Sequence, residues 1–233
     1  MKKIFLSLLT LLTLQTAFGQ SADEIVNKHI EAIGGADNWK KMNSLVMEAT
    51  MKAQGAEIKL TRTHIHNKAM RMDIAVMGMN GYQILTDKAG WSYMPFQGQT
   101  KAEPMTADDI KTSQDQLSIL DEFITYKDLG KKLDFIGKED LEGTECFKLK
   151  LTDKDGQEVT FWIDPASYYT LKQSQKIKAN GKEMESVTTF SNYKKTEEGI
   201  VYPFTVSADW GESEITKLTF NSKIDESLFK PSN

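Results

Sequence analysis

The sequence predicts a mainly β protein of the α+β class, in which a strongly curved antiparallel half-barrel is combined with an N-terminal helix and a central helical lid. Runs of alternating apolar and polar residues fill residues 45–96 and again residues 133–224. Such alternation is typical of strands with one buried face. Between these runs, residues 104–126 carry apolar side chains at helical spacing. A helical segment inside a sheet protein must lay its apolar stripe on the sheet, so we expect one shared core.

Residues 1–19 have the pattern of a secretory signal peptide. Lys2 and Lys3 precede an apolar run that is too short for a convincing transmembrane helix, and Ala17-Phe18-Gly19 supplies small residues for cleavage after Gly19. We therefore expect residues 20–233 to form the mature protein as a single domain. Because no cysteine lies near position 20, we expect no lipid anchor, and the periplasm is the predicted compartment.

The mature chain begins with a predicted helix over residues 21–33. Ser21, followed three residues later by Glu24, forms a capping box that satisfies free N–H groups of the first turn. Gly34-Gly35 is a stop signal, since glycine readily adopts the left-handed conformation that follows many helices. Residues 37–42 indicate one further turn, in which Trp39 anchors the helix pair.

The strands follow as short runs that are separated by turn residues. Residues 200–208 show the cleanest alternation of the chain. Asn80-Gly81 is the strongest hairpin signal, because both residues tolerate the positive φ of a type I′ turn, and Asn180-Gly181 is another. These criteria predict about eleven to thirteen strands in an antiparallel arrangement.

The central segment carries its own helix signal. Thr106 and Asp109 have the spacing of a capping box. The apolar positions that then recur at helical spacing are Ile110, Leu117, Leu120 and Ile124. The stripe predicts either a plug that completes the core or a lid over something removable.

Charge and cysteine content narrow the classes of function. The formal net charge is −4 at pH 7, which does not favour binding to nucleic acid or to an anionic membrane surface. Cys146 is the only cysteine, so no intramolecular disulfide forms, and a structural thiol is the favoured interpretation.

Few residues suggest catalysis or metal binding. His64 and His66 would lie on the same side of a strand and could supply part of a metal site, but no third ligand follows by spacing. Nothing resembles a nucleophile elbow, a phosphate loop or a zinc-protease helix. We therefore predict no enzyme activity, no cofactor and no metal.

Methionine is the unusual feature of the composition. The segment from Met42 to Met105 is rich in methionine, a flexible and polarizable residue that adapts to ligands of variable shape. The methionines predicted to face the apolar side of their strands are Met47, Met51, Met70 and Met72. They form either a soft core or a wall that accepts acyl chains.

Several motifs, in their order along the chain, resemble the LolA-like family of periplasmic outer-membrane lipoprotein carriers. The motifs are Ala32-Ile33-Gly34-Gly35 followed by Trp39, the aromatic run Gly90-Trp91-Ser92-Tyr93-Met94-Pro95, the segment Thr160-Phe161-Trp162-Ile163-Asp164-Pro165 with Leu171-Lys172, and Phe220 with Ile224-Asp225 and Leu228-Phe229. The resemblance covers essentially the whole mature chain.

The resemblance implies a monomeric carrier whose apolar cavity holds acylated lipoprotein or lipid cargo beneath a lid. It also implies handover from an inner-membrane transporter to an outer-membrane acceptor. The residues predicted for the cavity and lid are Met47, Met51, Met70, Met72, Ile74, Trp91, Tyr93, Ile110, Leu117, Leu120 and Ile124. The family has a lid-contacting arginine on an early strand, and Arg62, Lys68 and Arg71 are the candidates here. The alternative is a periplasmic sensor or interaction protein whose barrel is filled by its own side chains.

Overall fold

The computed structural model describes residues 21–53, 55–179 and 182–232. The α-helices are α1 (Ala22–Ala32), α2 (Ala36–Trp39), α3 (Ala107–Thr112) and α4 (Glu122–Thr125). Short 3₁₀ helices cover Pro95–Gln97, Gln114–Leu117 and Glu226–Phe229. The thirteen strands among these described residues are β1 (Ser44–Ala53), β2 (Ala56–Ile65), β3 (Ala69–Val76), β4 (Met79–Thr86), β5 (Gly90–Tyr93), β6 (Glu103–Pro104), β7 (Lys132–Leu141), β8 (Thr144–Thr152), β9 (Glu158–Ile163), β10 (Thr170–Ala179), β11 (Lys182–Lys195), β12 (Val201–Ala208) and β13 (Gly211–Phe220).

All of these strands belong to one antiparallel sheet that does not close. Its order is β6-β5-β4-β3-β2-β1-β13-β12-β11-β10-β9-β8-β7, so β1 pairs with β13 and joins the two halves of the sequence. The predicted half-barrel and strand number are confirmed. None of the helices in the described part of the chain is long and apolar enough to cross a membrane.

The order of the strands explains why the middle of the chain leaves the sheet. β6 and β7 are consecutive in sequence but lie at opposite edges. The residues that join them must therefore travel from one edge to the other. Their helical pieces pack on the face that also carries Leu45, Met70 and Leu149, which we call the inner face. We call residues 105–126 the crossing segment.

The core lies between the inner face and the elements that pack on it. Ile25 of α1 and Phe123 of the crossing segment pack together against Phe161 of β9. Leu117 packs near the other edge of the sheet, against Met70 of β3. Burial of such side chains contributes roughly 1.5–3 kcal/mol each, so packing rather than helix propensity stabilises these short helices.

Trp39 occupies the middle of this core, between the two helices and the sheet. Its ring is buried and meets the ring of Phe220 edge-on, with 6.0 Å between centroids. Its indole Nε1–H donates a hydrogen bond of 3.1 Å to the carbonyl oxygen of Ile33. The residue therefore ties α2 to α1 and to β13, as its predicted role as an anchor requires.

The opposite face of the sheet, which we call the outer face, is covered near β3–β5 by the C-terminal residues 224–232. Phe229 packs there against Ala69, Tyr82 and Ile84. The hydroxyl of Tyr82 donates a 2.6 Å hydrogen bond to the carbonyl oxygen of Ser232. Both faces of this part of the sheet are thus packed by the protein itself.

The predicted helix signals at the start of the chain are confirmed. The hydroxyl of Ser21 accepts a 3.1 Å hydrogen bond from the backbone N–H of Glu24. Gly34 follows α1 with φ of 112°, a value that L residues rarely adopt. A Cβ at this position would also collide with the carbonyl oxygen of Gly199, so only glycine fits here.

The prediction of one continuous central helix is wrong. Thr106 caps α3 as predicted, by accepting from Asp109 N–H, but the helix ends at Thr112. A 3₁₀ turn follows, Ser118 is extended at φ −80° and ψ 133°, and α4 begins only after the new cap of Asp121. The segment is rich in polar side chains that can hydrogen-bond to the backbone and thereby end a helix. Where the helix is interrupted, the end of a neighbouring strand supplies partners for backbone groups that have lost their helical hydrogen bonds.

The prediction that Asn80-Gly81 forms a hairpin turn is also wrong. Met77 and Gly78 form that turn, with φ of 51° and 79°, and Val76 pairs with Met79. Gly81 lies inside β4, where an added Cβ would meet the carbonyl oxygen of Tyr93 at 2.7 Å. Glycine is therefore needed there for close approach rather than for a turn. The predicted Asn180-Gly181 turn and the signal peptide lie outside the described residues.

Candidate functional site

Strand register arranges the predicted methionine wall in rows across β1 to β4. The row nearest the crossing segment is Leu45, His64, Met70 and Leu85. The next row is Met47, Arg62, Met72 and Gln83. Beyond it come Ala49, Leu60, Ile74 and Gly81, and then Met51, Ile58, Val76 and Met79. Residues paired in register share a face, so all four predicted methionines and Ile74 lie on the inner face.

Burial decreases along these rows on β2, β3 and β4. His64 and Met70 are buried under the crossing segment. Met72 and Ile74 in the following rows are half-buried, and Met79 in the last row is 40% exposed. The inner face is therefore covered at one end and open at the other, and the open part is largely apolar.

Trp91 and Tyr93 do not join this wall, which corrects their predicted place in the cavity. Trp91 pairs with Ile84 and Tyr93 pairs with Tyr82, both on the outer face beside Phe229. Side chains on a strand change face at every residue, so the side of an isolated aromatic depends on the register of the neighbouring strand.

The predicted lid residues reach the inner face despite the broken helix. Leu117 is buried and packs with Ile110 against Met70. Leu120 and Ile124 are half-buried and pack in the cluster around Trp39. The apolar stripe therefore packs on the sheet as predicted, although its residues lie on separate short turns.

The end of β2 and the turn that follows it hold the crossing segment through hydrogen bonds to its backbone. Nε2–H of His64 donates to the carbonyl oxygen of Leu117 at 2.9 Å, and the N–H of Asn67 donates to the same oxygen at 2.6 Å. Nδ1 of His66 accepts from the N–H of Ile119 at 3.2 Å. The two histidines that were considered as metal ligands are therefore supports for this segment.

Burial keeps His64 neutral. Loss of hydration, reinforced by the nearby Arg62 guanidinium and His66, lowers the pKa of His64 from 6.5 to about 3. In the neutral ring Nε2 donates to Leu117, which leaves the lone pair of Nδ1 facing Nη2 of Arg62 at 3.4 Å. Burial also lowers the pKa of His66.

Arg62 is the basic residue that faces the crossing segment. Its Nη2 lies 3.4 Å from the carbonyl oxygen of Gln116. Lys68 instead pairs with Glu226 at 2.6 Å, and Arg71 pairs with Asp73 at 2.7 Å, both on the side of the C-terminal residues. Of the three candidate residues, Arg62 is therefore the one that contacts the crossing segment.

The far end of the crossing segment is fixed by side chains from α1 and from the start of β7. Lys131 Nζ lies 2.8 Å from Asp115 Oδ2 and 3.6 Å from Glu122 Oε2. The hydroxyl of Tyr126 donates to Asp23 Oδ1 of α1 at 2.9 Å. These are partly exposed polar contacts, which stabilise weakly and can exchange with water.

The described residues contain no group of three His, Cys, Asp or Glu side chains placed to hold a metal ion. Cys146 is buried, and loss of hydration raises the pKa of its thiol. A thiol in that state is a weak nucleophile, as expected of a structural cysteine.

The fold is shared with solved structures at low sequence identity. A LolA superfamily protein from Nitrosomonas europaea is 13% identical, with 91% of this chain and 98% of that chain covered and a TM-score of 0.57. A DUF1329 family protein from Desulfovibrio piger has 13% identity, coverage of 91% and 98%, and a TM-score of 0.56. A domain from Vibrio parahaemolyticus, provisionally named for outer membrane lipoprotein sorting, has 16% identity, coverage of 90% and 95%, and a TM-score of 0.52.

No protein-family model and no curated protein sequence matches the chain. At these identities the likeness to solved structures concerns the fold. The resemblance to LolA-like proteins predicted from sequence motifs is therefore confirmed as a shared architecture, and function rests on the residues of the inner face.

Proposed function

We propose that this protein is a periplasmic carrier that binds the acyl chains of lipoproteins, or of related lipids, on its inner face and transfers them toward the outer membrane. One observation carries the proposal: a half-buried apolar surface adjoins a crossing segment that several backbone hydrogen bonds hold in place. A lipoprotein-sorting domain and a LolA superfamily protein with the same fold support it. An inner-membrane transporter and an outer-membrane acceptor are the partners that such transfer requires.

A carrier must bind its cargo without retaining it permanently. Burial of a methylene group contributes about 0.8 kcal/mol, so a sixteen-carbon chain gains at most roughly 12 kcal/mol. An opposing cost is needed for release. The crossing segment supplies one, because Leu117, Leu120 and Ile124 lose their own apolar contacts with the inner face when cargo displaces them.

The short pieces of the crossing segment suit such displacement. α3, the 3₁₀ turn and α4 are separate units, so one of them moves without unfolding a continuous helix. Their hydrogen bonds to the end of β2 and to the turn after it are made by only a few groups. Release and closure of such contacts require less free energy than rearrangement of a packed helix.

Ile74→Asp and Ala75→Asp form a matched pair of variants that test the proposal. Ile74 lies on the inner face, and its neighbour Ala75 lies on the outer face of the same strand. Native mass spectrometry of protein purified from a periplasm without detergent reports bound lipid. We expect acyl lipid on the wild type and on Ala75→Asp, and its loss from Ile74→Asp. Equal lipid on a folded Ile74→Asp variant would contradict binding on this face.

A periplasmic sensor or interaction protein is the second candidate. It is favoured by the covered end of the inner face, where His64, Met70 and Leu85 are buried by the protein's own side chains. If this candidate is right, added acyl lipids leave the mass and the melting temperature of the protein unchanged. Binding of added lipid by the wild type would reject it.

A further inference from the structure

Arg62 places a positive charge in the middle of the apolar inner face. Its register partners are Met47 on β1 and Met72 on β3, and the three residues form one half-buried row. Burial lowers the pKa of the guanidinium, although an arginine stays charged at any physiological pH. The wall that the sequence predicts to be apolar thus contains a cation at its centre.

This cation has no counter-ion among the described residues. Its two hydrogen-bond contacts, to His64 Nδ1 and to the Gln116 carbonyl oxygen, are both 3.4 Å long, and both use Nη2. Its Nε is buried and has no hydrogen-bond partner in the described part of the chain. Arg71, by contrast, makes hydrogen bonds of 2.7–2.9 Å to the carboxylate of Asp73.

An unpaired charge of this kind is costly to the folded protein. Removing an ion from water costs several kcal/mol, which is normally offset by an opposite charge held in good geometry. The phenol of Tyr202 faces the Arg62 charge, but a phenol is neutral at physiological pH and supplies no counter-charge. An anion that supplied two oxygens to Nε and a terminal nitrogen would complete the planar fork of the guanidinium.

An apolar track leads away from Arg62 toward the open end of the inner face. Leu60 and Ile74 form the next pair, and Ile58 and Val76 form the pair after that. All four are half-buried. Four residues of a strand span about 13 Å, so a hydrocarbon chain has room to lie beside the guanidinium on this track.

We propose that the inner face binds an acidic amphiphile, with its anionic head on Arg62 and its hydrocarbon chain along Leu60, Ile74, Ile58 and Val76. The shared chemistry is a carboxylate or phosphate on a long alkyl chain, as in a free fatty acid or a phosphate-headed lipid. The proposal deepens the carrier function by naming a ligand class. It rests on the proposed function, because the carrier function places the hydrocarbon chain on the inner face. A head group on Arg62 also competes with the Gln116 carbonyl oxygen, which couples binding to release of the crossing segment.

Three probes with the same sixteen-carbon chain test the proposal: palmitate, hexadecyl phosphate and hexadecanol. Their affinities are measured by titration with the wild type, Arg62→Met and Lys59→Met. Lys59 is the matched control, because it is an exposed cation on the outer face of the same strand. Met fills the place of the arginine stem and removes only the charge and the donors.

We expect Arg62→Met to weaken binding of palmitate or hexadecyl phosphate by at least about tenfold while hexadecanol changes by no more than about twofold. Lys59→Met should leave all three affinities unchanged. Whichever of palmitate and hexadecyl phosphate loses more affinity in Arg62→Met carries the preferred head group, a carboxylate or a phosphate respectively. Arg62→Lys, which keeps the charge but loses the fork, should fall between the wild type and Arg62→Met.

Equal losses for hexadecanol and for the anions, or no loss for either anion, would overturn the head-group site. If hexadecanol binds and Arg62 does not discriminate among the probes, this inference fails while the carrier function stands. If none of the probes binds the wild type, the carrier function itself fails. Denaturant midpoints supply an independent check, because loss of an unpaired buried cation should leave the midpoint of the ligand-free Arg62→Met variant equal or higher.

Discussion

His29 Nε2 of α1 lies 3.5 Å from Asp121 Oδ2 of the crossing segment, at a point where the imidazole is fully buried. The other ring nitrogen, Nδ1, donates a 2.7 Å hydrogen bond to the carbonyl oxygen of Tyr168. The histidine thus links the N-terminal helix to the crossing segment and to the loop before β10. Although burial opposes the charged ring, the Asp121 carboxylate and the Tyr168 carbonyl raise the pKa of His29.

We predict that Asp121→Asn destabilises the protein in acid but not in alkali. A raised pKa means that the His29–Asp121 pair contributes fully below pH 6.5 and is lost as pH rises through the folded-state pKa. Asn keeps the cap that Asp121 provides to the N–H of Phe123. Urea unfolding should show a loss of about 1 kcal/mol at pH 5.5 and little at pH 9. An equal loss at both values would contradict a role of the ion pair.

His64 should have the opposite pH dependence. Its pKa is lowered to about 3, so its contribution is complete above pH 6.5 and is lost as pH falls toward 3. The wild type should lose up to about 1.4 kcal/mol per pH unit relative to a His64→Gln variant, because the unfolded histidine binds a proton that the folded one does not. Unfolding free energies of both proteins between pH 6.5 and 5 measure this difference. Parallel curves would show that His64 titrates normally.

Two adjacent glycines should respond very differently to alanine. Both Gly34 and Gly35 have positive φ, but a Cβ on Gly34 meets the Gly199 backbone, whereas a Cβ on Gly35 has nothing within 4 Å. Gly35→Ala should cost about 1–3 kcal/mol from backbone strain alone, because Gly35 has φ of 84° and ψ of 142°. Gly34→Ala should cost clearly more, because the β11–β12 turn must also move. Similar denaturant midpoints for the two variants would argue against the close packing at Gly34.

A charged crossing segment should release cargo less readily. We predict that the double variant Leu120→Asp and Ile124→Asp increases lipid retention, because carboxylates weaken the apolar contacts with the inner face that compete with cargo. Leu129→Asp is the control, since Leu129 is exposed just beyond α4. Extraction of lipid from the purified proteins measures retention. Unchanged retention in a folded double variant would exclude the crossing segment as the lid.

Local sequence signals were sufficient to predict features that depend only on residues close together in the sequence, such as helix caps. The caps at Ser21 and Thr106 each join residues three positions apart, so the sequence alone contains both partners. Asn80-Gly81 shows where this reasoning fails. A glycine can be required either for the positive φ of a turn or for close contact with a neighbouring strand. At Gly81 only the position of the Tyr93 carbonyl oxygen shows that close contact is the reason.

The candidate site was predictable in part. Periodicity placed Met47, Met70 and Ile74 on one face, because alternation within a strand is a local property. Periodicity did not predict the face on which Trp91 lies, because its strand is short and the pairing with Ile84 decides the face. Nor did it select Arg62, because its contact with Gln116 joins residues far apart in the chain.

The sequence by itself determined the β-rich class of the fold, the helix caps at Ser21 and Thr106 and the apolar stripe of the central segment. All of these follow from spacings of two to four residues. The tertiary structure alone decided that β6 and β7 lie at opposite edges, so that the segment between them must cross the inner face. It also decided that Arg62 and Arg71 point to opposite faces. Such relations depend on pairing between strands distant in sequence, where the register fixes which side chains meet.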